Sequence, residues 1–227
     1  MLRVLLYLIF WNLIYSLPLS GQEYSYVNYN TREGLAGSVV YSMAQDHDGF
    51  MWFATETGLS RFDGTRFKNF TTADGLPDNE LIKLYVDSKN RVWILPFKNM
   101  ICYYWRGKIY NAENDSRLKQ VKLKQESRAI AESSTGDIAI IEMQSVTLIK
   151  NDGRVLSFDS FKGTRMVAGF WAGRLSNGNI GFVGSLWKSG VYMFEITGDT
   201  LRTMKYLTST GNMFQPLHYS DSLQVMR

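Results

Sequence analysis

The chain has 227 residues, of which 45% are hydrophobic and 14% aromatic against 20% charged, a profile that excludes intrinsic disorder and fits a folded globular chain. A formal net charge of +4 is too weak a balance to select a partner, and the single cysteine, Cys102, excludes an internal disulfide.

Arg3 precedes an apolar run from Val4 to Tyr15, followed by Pro18, Ser20 and Gly21. The run fits the roughly 7–15 apolar residues of a secretory signal and falls short of the roughly 18 needed to span a bilayer. Residues 1–21 are therefore expected to be a signal peptide, with cleavage favoured over an uncleaved anchor, and 22–227 to be the exported domain. Cys102 lies far downstream, so no lipid-bearing N-terminal cysteine is expected, and the domain must tolerate an oxidising compartment without covalent staples.

Beyond the signal, the chain repeats itself at about forty residues. Tyr26-Val27-Asn28-Tyr29 aligns with Phe67-Lys68-Asn69-Phe70, and the same offset brings Gly34-Leu35 onto Gly75-Leu76, Asp46 onto Asp87 and Trp52-Phe53 onto Trp93-Ile94. A third copy keeps the turn and strand of Ser134 to Ile140 but loses the tryptophan. A fourth is visible in Ser176 to Val183. The expected repeats are 31–71, 72–112, 113–160 and 161–210, with a partial one at 211–227.

One repeat reads as four short strands. Val39 to Asp46 alternates as an extended chain packed on two sides, Asp46 to Gly49 turns it, and Phe50 to Thr55 is apolar throughout, as expected of a central strand. Leu59 to Phe62 follows, Asp63-Gly64 supplies a hairpin turn, and Arg66 to Thr71 alternates as a polar edge strand. Tyr24 to Asn30 corresponds to the outermost strand of a blade. The fold class expected is all-β, a propeller of four-stranded antiparallel blades, incomplete, with about four blades and a partial fifth.

Farther along, Arg117, Lys119, Lys122 and Lys124 make the densest basic stretch. Acidic neighbours and a lack of interleaved aromatics mark it as a solvated face, and no nucleic acid is expected as partner. Gly181-Phe182-Val183-Gly184 sits in a strand pattern and reads as close blade packing rather than a nucleotide loop. The recurring turn aspartates, Asp46, Asp48, Asp63, Asp74, Asp78 and Asp87, read as turn chemistry. Trp52 and Trp93 read as core before sugar-stacking platforms.

The sequence from Gly34-Leu35 through Gln45-Asp46, Gly49-Phe50-Met51-Trp52-Phe53-Ala54-Thr55 and Gly58-Leu59-Ser60-Arg61-Phe62-Asp63-Gly64 resembles the two-component regulator propeller repeat. Residues 31–71 carry the pattern almost in full. In 72–110 it is altered by Leu95-Pro96 in place of the strand-ending threonine and by Cys102-Tyr103-Tyr104 in place of the usual exit. The resemblance implies a periplasmic sensor, tethered to the inner membrane through segments downstream, that feeds a histidine kinase. It implies an oligosaccharide ligand and allows dimerisation of the complete receptor.

No phosphoacceptor helix or nucleotide loop is legible, so no enzyme activity is expected of this chain. His47, His218 and Cys102 have no metal-ligand spacing, and neither metal nor cofactor is expected. Two other readings stay open: a secreted propeller scaffold for protein partners, and a polysaccharide-active propeller enzyme. The ligand site is expected on the face carrying the loops that lead into each first strand and the turns between second and third strands. Ser38, Glu56, Asp78, Asn79, Glu80 and Lys98 are the candidate binding residues, because their donors and acceptors suit a hydroxyl-rich ligand.

Overall fold

The computed structural model describes residues 27–208, in which every regular sheet is antiparallel and built from consecutive strands. The first sheet contains β1 (Val40–Gln45), β2 (Met51–Thr55), β3 (Leu59–Phe62) and β4 (Phe67–Phe70). The second contains β5 (Leu81–Val86), β6 (Val92–Pro96), β7 (Cys102–Trp105) and β8 (Lys108–Tyr110). After a five-residue helix, α1 (Ser116–Gln120), the third contains β9 (Ser127–Glu132), β10 (Ile138–Glu142), β11 (Val146–Ile149) and β12 (Val155–Phe158). In the fourth, β13 (Ser160–Phe161) forms a short hairpin with β14 (Thr164–Arg174), followed by β15 (Ile180–Leu186), β16 (Gly190–Thr197) and β17 (Thr200–Thr208). These are four blades of a β-propeller. The signal at 1–21 and the partial repeat at 211–227 lie outside the described residues.

Alternation along each strand sends neighbouring side chains to opposite blades. Trp52 and Ala54 pack with Leu84, Ile94 and Tyr104 between the first two blades. From β6, Val92 and Ile94 face the first blade, whereas Trp93 and Leu95 face the third and meet Ile138 and Ile140. From β10, Ala139 and Ile141 turn the other way, onto Met166, Phe182 and Phe194 of the fourth. A central strand therefore has no polar face to spare, which is why β6 and β10 are buried at every position.

The tryptophan position shows how volume is conserved around the arc. Its four occupants are Trp52, Trp93, Ala139 and Gly181. Ala139 is small, and the space it leaves is filled by Phe182 and Phe194, stacked at 5.0 Å between centroids. A Cβ on Gly181 would collide with the Leu175 side chain, so in the fourth blade leucine from the turn covers the strand. Gly184 likewise brings β15 against the Ala168 carbonyl, the close packing that its glycines suggest.

One expectation is overturned at β1. Rather than lying between two packed surfaces, it has Tyr41 at 48% and Met43 at 65% exposure, because among the described residues no blade precedes it. Val27–Asn30, the described part of the expected outer strand, is not in a strand. With no sheet there to join, the segment packs through Tyr29 onto Phe62 at 4.8 Å and Phe67 at 5.8 Å. The basic stretch also differs from a simple solvated face, since α1 buries Leu118 and is capped by Asp115.

Candidate functional site

Two kinds of connection meet on one side of the arc, called here the loop face: loops leading into β1, β5, β9 and β14, and turns following β2, β6, β10 and β15. In each blade the turn is tied to the loop. Glu56 accepts the backbone N–H groups of Ser38 and Val39, both at 2.9 Å. Gly37 lets the loop approach this turn closely, because a Cβ there would strike Glu56 and Thr57. In the second blade Lys98 pairs with Asp78 at 2.8 Å, and the Phe97 N–H donates to the Glu80 carbonyl at 2.9 Å. In the third, Glu142 accepts from the N–H groups of Lys124 at 2.6 Å and Gln125 at 3.0 Å and from the Thr147 hydroxyl at 3.0 Å. In the fourth, the Trp187 N–H donates to the Arg165 carbonyl at 2.9 Å.

The candidate residues thus form two clusters, one in each of the first two blades. Ser38 and Glu56 meet in the first, and Asp78 and Lys98 in the second. Asp78 also accepts the N–H of Asn79 at 2.7 Å, and Asn79 Oδ1 accepts from Thr72 N–H at 2.9 Å. These polar groups are engaged in shaping their own loops. Burial pushes the Glu56 carboxyl up, but the backbone N–H groups of Glu56, Val39 and Ser38 outweigh it and leave the group below its ordinary value. Asp78 is held below its ordinary value first by the Lys98 ammonium. Both carboxylates are anionic at neutral pH, which leaves an acidic surface relieved by Lys98, 65% exposed at its side chain.

A shallow groove of 320 Å³ opens on the same face between the third and fourth blades, lined by Lys124, Gln144, Asp159, Ser160, Gly163 and Arg165. Lys124 Nζ pairs with Asp159 at 2.9 Å, and Arg165 donates to Gln144. Glu142, wholly buried, underlies it and fixes the chain at Lys124 and Gln125. Beside the groove, the first residue after β10 is Met143 and after β15 is Trp187, 42% and 60% exposed; the equivalent residue after β6, Phe97, is 53% exposed. Of these groups the sequence singled out only Lys124, as part of its basic stretch. Aligning the residue after each second strand, Glu56, Phe97, Met143 and Trp187, is the signal that finds the apolar arc.

The opposite side of the arc is a face of tight hairpins bound to one another. Asn90 accepts from the His47 N–H at 2.8 Å and donates to Asp48 at 2.8 Å. Buried Glu132 accepts from the Ser88 hydroxyl at 2.6 Å and from Arg174 at 2.8 Å. These contacts lock neighbouring blades. Among the described residues no three His, Cys, Asp or Glu side chains converge as a metal site, and no helix is long and apolar enough to cross a membrane.

Residues 34–57 match the family described as Two component regulator propeller. Among solved structures, the extracellular domain of a protein described as a hybrid two component system from B. thetaiotaomicron superimposes with a TM-score of 0.61 at 18% identity, over 79% of this chain and 26% of that one. A catalytically inactive virginiamycin B lyase from Staphylococcus aureus, with quinupristin, gives 0.59 at 18% identity over 84% and 61%. A streptogramin B lyase gives 0.55 at 20% identity over 75% and 55%. The chain spans about a quarter of the first of these and a little over half of the two lyases, and at such identities the likeness is one of fold. No curated protein matches the chain.

Proposed function

Starting from a two-component regulator propeller repeat at residues 34–57, we propose that this chain is the ligand-sensing propeller segment of an exported two-component receptor, and that its ligand is an oligosaccharide. The observation that carries the reading is the contrast between the two faces. The hairpin face spends its polar groups on joining blades, as Asn90 and Glu132 do. The loop face instead presents exposed charged, amide and aromatic groups beside a groove, the mixture that hydroxyl-rich ligands require. Similarity in fold to the extracellular domain of a protein described as a hybrid two component system supports the compartment.

Export is tested by fusing residues 1–30 to a reporter active only outside the cytoplasm; retention inside would overturn it. Binding is tested in the complete receptor. Asn79→Ala and Glu80→Ala are expected to weaken oligosaccharide affinity and signalling. Unchanged affinity with intact folding would make these residues turns alone and move the site to other blades.

A further inference from the structure

Every junction between blades repeats one contact. The forward-pointing pair of each second strand packs with a residue of the next blade's second strand: Trp52 and Ala54 with Ile94, Trp93 and Leu95 with Ile140, Ala139 and Ile141 with Phe182. Ile94, Ile140 and Phe182 are wholly buried as a result. Among the described residues, two halves of this contact lack a counterpart. Phe53, the first blade's equivalent of Ile94, is only half-buried. Opposite it in the sheet Met43 is 65% exposed, whereas Leu84, at the same place in the second blade, is 5% exposed. On the fourth blade the forward pair is Gly181 and Val183, and no further blade is described in front of it.

These two open flanks suit each other. Directly paired residues of antiparallel strands share a face, so Met43 with Phe53 and Met51 with Phe62 make the first blade's flank apolar. On the fourth blade Trp171 and Met193 both pair with Val183 and share its flank. Trp171 is 49% exposed. Its ring lies over Gly173, where a Cβ would strike it, and Gly173 is the strand partner of Gly181. An indole thus stands beside the tryptophan position that Gly181 leaves vacant. Glu195, also paired with Gly181, is buried and compensated by Arg202 at 2.6 Å and by Asn177 and Asn179, both at 2.7 Å, so covering this flank strands no charge.

We infer that the open flank of the fourth blade in one copy of the chain docks on the open flank of the first blade in a second copy, with Trp171 against Met43 and Phe53. The contact continues the interface that already joins blade to blade: at each junction within the chain, the surface that buries the equivalent of Phe53 is a forward flank like that of the fourth blade. It runs head to tail and closes after two copies. Two arcs of four blades make a ring of eight, within the roughly four to eight blades of closed propellers. Closure covers both apolar flanks and sets the loop faces of the two copies around one channel.

Sedimentation equilibrium of the full chain tests this independently of any sugar, and the expected mass is that of two copies. Met43→Asp and Trp171→Asp should each weaken association roughly tenfold or more, because each places a carboxylate in an apolar contact. Both side chains are exposed, so folding is expected to be untouched, and circular dichroism checks it. A short bismaleimide should join a Met43→Cys chain to a Trp171→Cys chain, since the native Cys102 is buried. A monomer at every concentration, or a dimer indifferent to both aspartate variants, would overturn the inference. So would a dimer weakened by Met43→Asp but not by Trp171→Asp, which would set two first-blade flanks against each other. Failure of the Met43→Cys and Trp171→Cys chains to cross-link with one another would overturn it as well.

Discussion

Trp52 Nε1 donates to Asp46 Oδ2 at 2.7 Å, while the other oxygen of the same carboxylate accepts the N–H groups of Asp48 at 3.0 Å and Phe50 at 2.9 Å. The turn and the core are thereby joined through one side chain. The second blade repeats the device, with Trp93 Nε1 on Asp87 Oδ2 at 2.7 Å. Where the tryptophan is absent the carboxylate goes too: Ser133 takes the aspartate's place and accepts the Asp137 N–H at 3.0 Å.

Because the two residues share a buried hydrogen bond, their substitutions should not add. Asp46→Ala strands the indole and two turn N–H groups and is expected to cost about 1–3 kcal/mol. Trp52→Ala should cost about 3–5 kcal/mol. Urea unfolding of Asp46→Ala, Trp52→Phe and the double variant should reveal a coupling on the order of 0.5–3 kcal/mol. Additive midpoints would show that turn and core are independent.

Restoring the tryptophan to the third blade should harm the protein. Ala139→Trp, even with Ser133→Asp to receive the indole, places a large ring where Phe182 and Phe194 already fill the interface, and overpacking is expected to cost about 1–3 kcal/mol. A thermal midpoint at or above that of the parent would mean the space is not filled as described.

Acid should weaken the protein in part through Asp115, which accepts from Tyr103 at 2.5 Å and from Arg117 at 2.8 Å and caps α1. Burial pushes its carboxyl up, but these donors prevail and hold it at about 2, below the ordinary 3.8. A depressed folded-state value means that the stabilisation is complete above pH 3.8 and is lost as pH falls toward 2, a contribution on the order of 1–2 kcal/mol. Asp115→Asn should therefore lower stability at pH 7 and flatten its fall between pH 4 and 2. Parallel pH profiles for variant and parent would contradict this.

Glu142→Ala should loosen the groove selectively. It frees the N–H groups of Lys124 and Gln125, so hydrogen exchange is expected to speed there while β6 and β7 keep their protection. Uniform acceleration across all blades would instead indicate a general loss of stability.

The blades were legible because each repeat marks its turns with Asp, Asn or Gly, as at Asp48-Gly49, Asp152-Gly153 and Asn177-Gly178, and writes its central strand in largely apolar residues, signals that survive even where Trp52 has become Gly181. Their joint use was not, since the i, i+6 relation of Asp46 to Trp52 only becomes a contact once the hairpin folds the strand back beside its turn. Nor could alternation in Val39 to Met43 say whether a neighbouring blade covers it, because an apolar face reads the same packed or bare. The candidate residues Ser38, Glu56, Asp78, Asn79, Glu80 and Lys98 came from the two best-preserved repeats. Lys124, Gln144, Arg165 and Trp187 sit in the two most divergent ones, where α1, five residues long, and the extra β13 hairpin shift the register and hide their equivalence.

Chemical-shift mapping of backbone amides on the full chain, titrated with oligosaccharide, tests most directly whether the loop face is the sensing surface. Perturbations are expected to concentrate in the loops before β1, β5, β9 and β14 and in the turns after β2, β6, β10 and β15, Asn79 and Glu80 among them. Perturbations centred instead on the hairpins at Asp46 to Gly49, Ser88 to Asn90 and Ser133 to Gly136, or none at any sugar concentration, would contradict it.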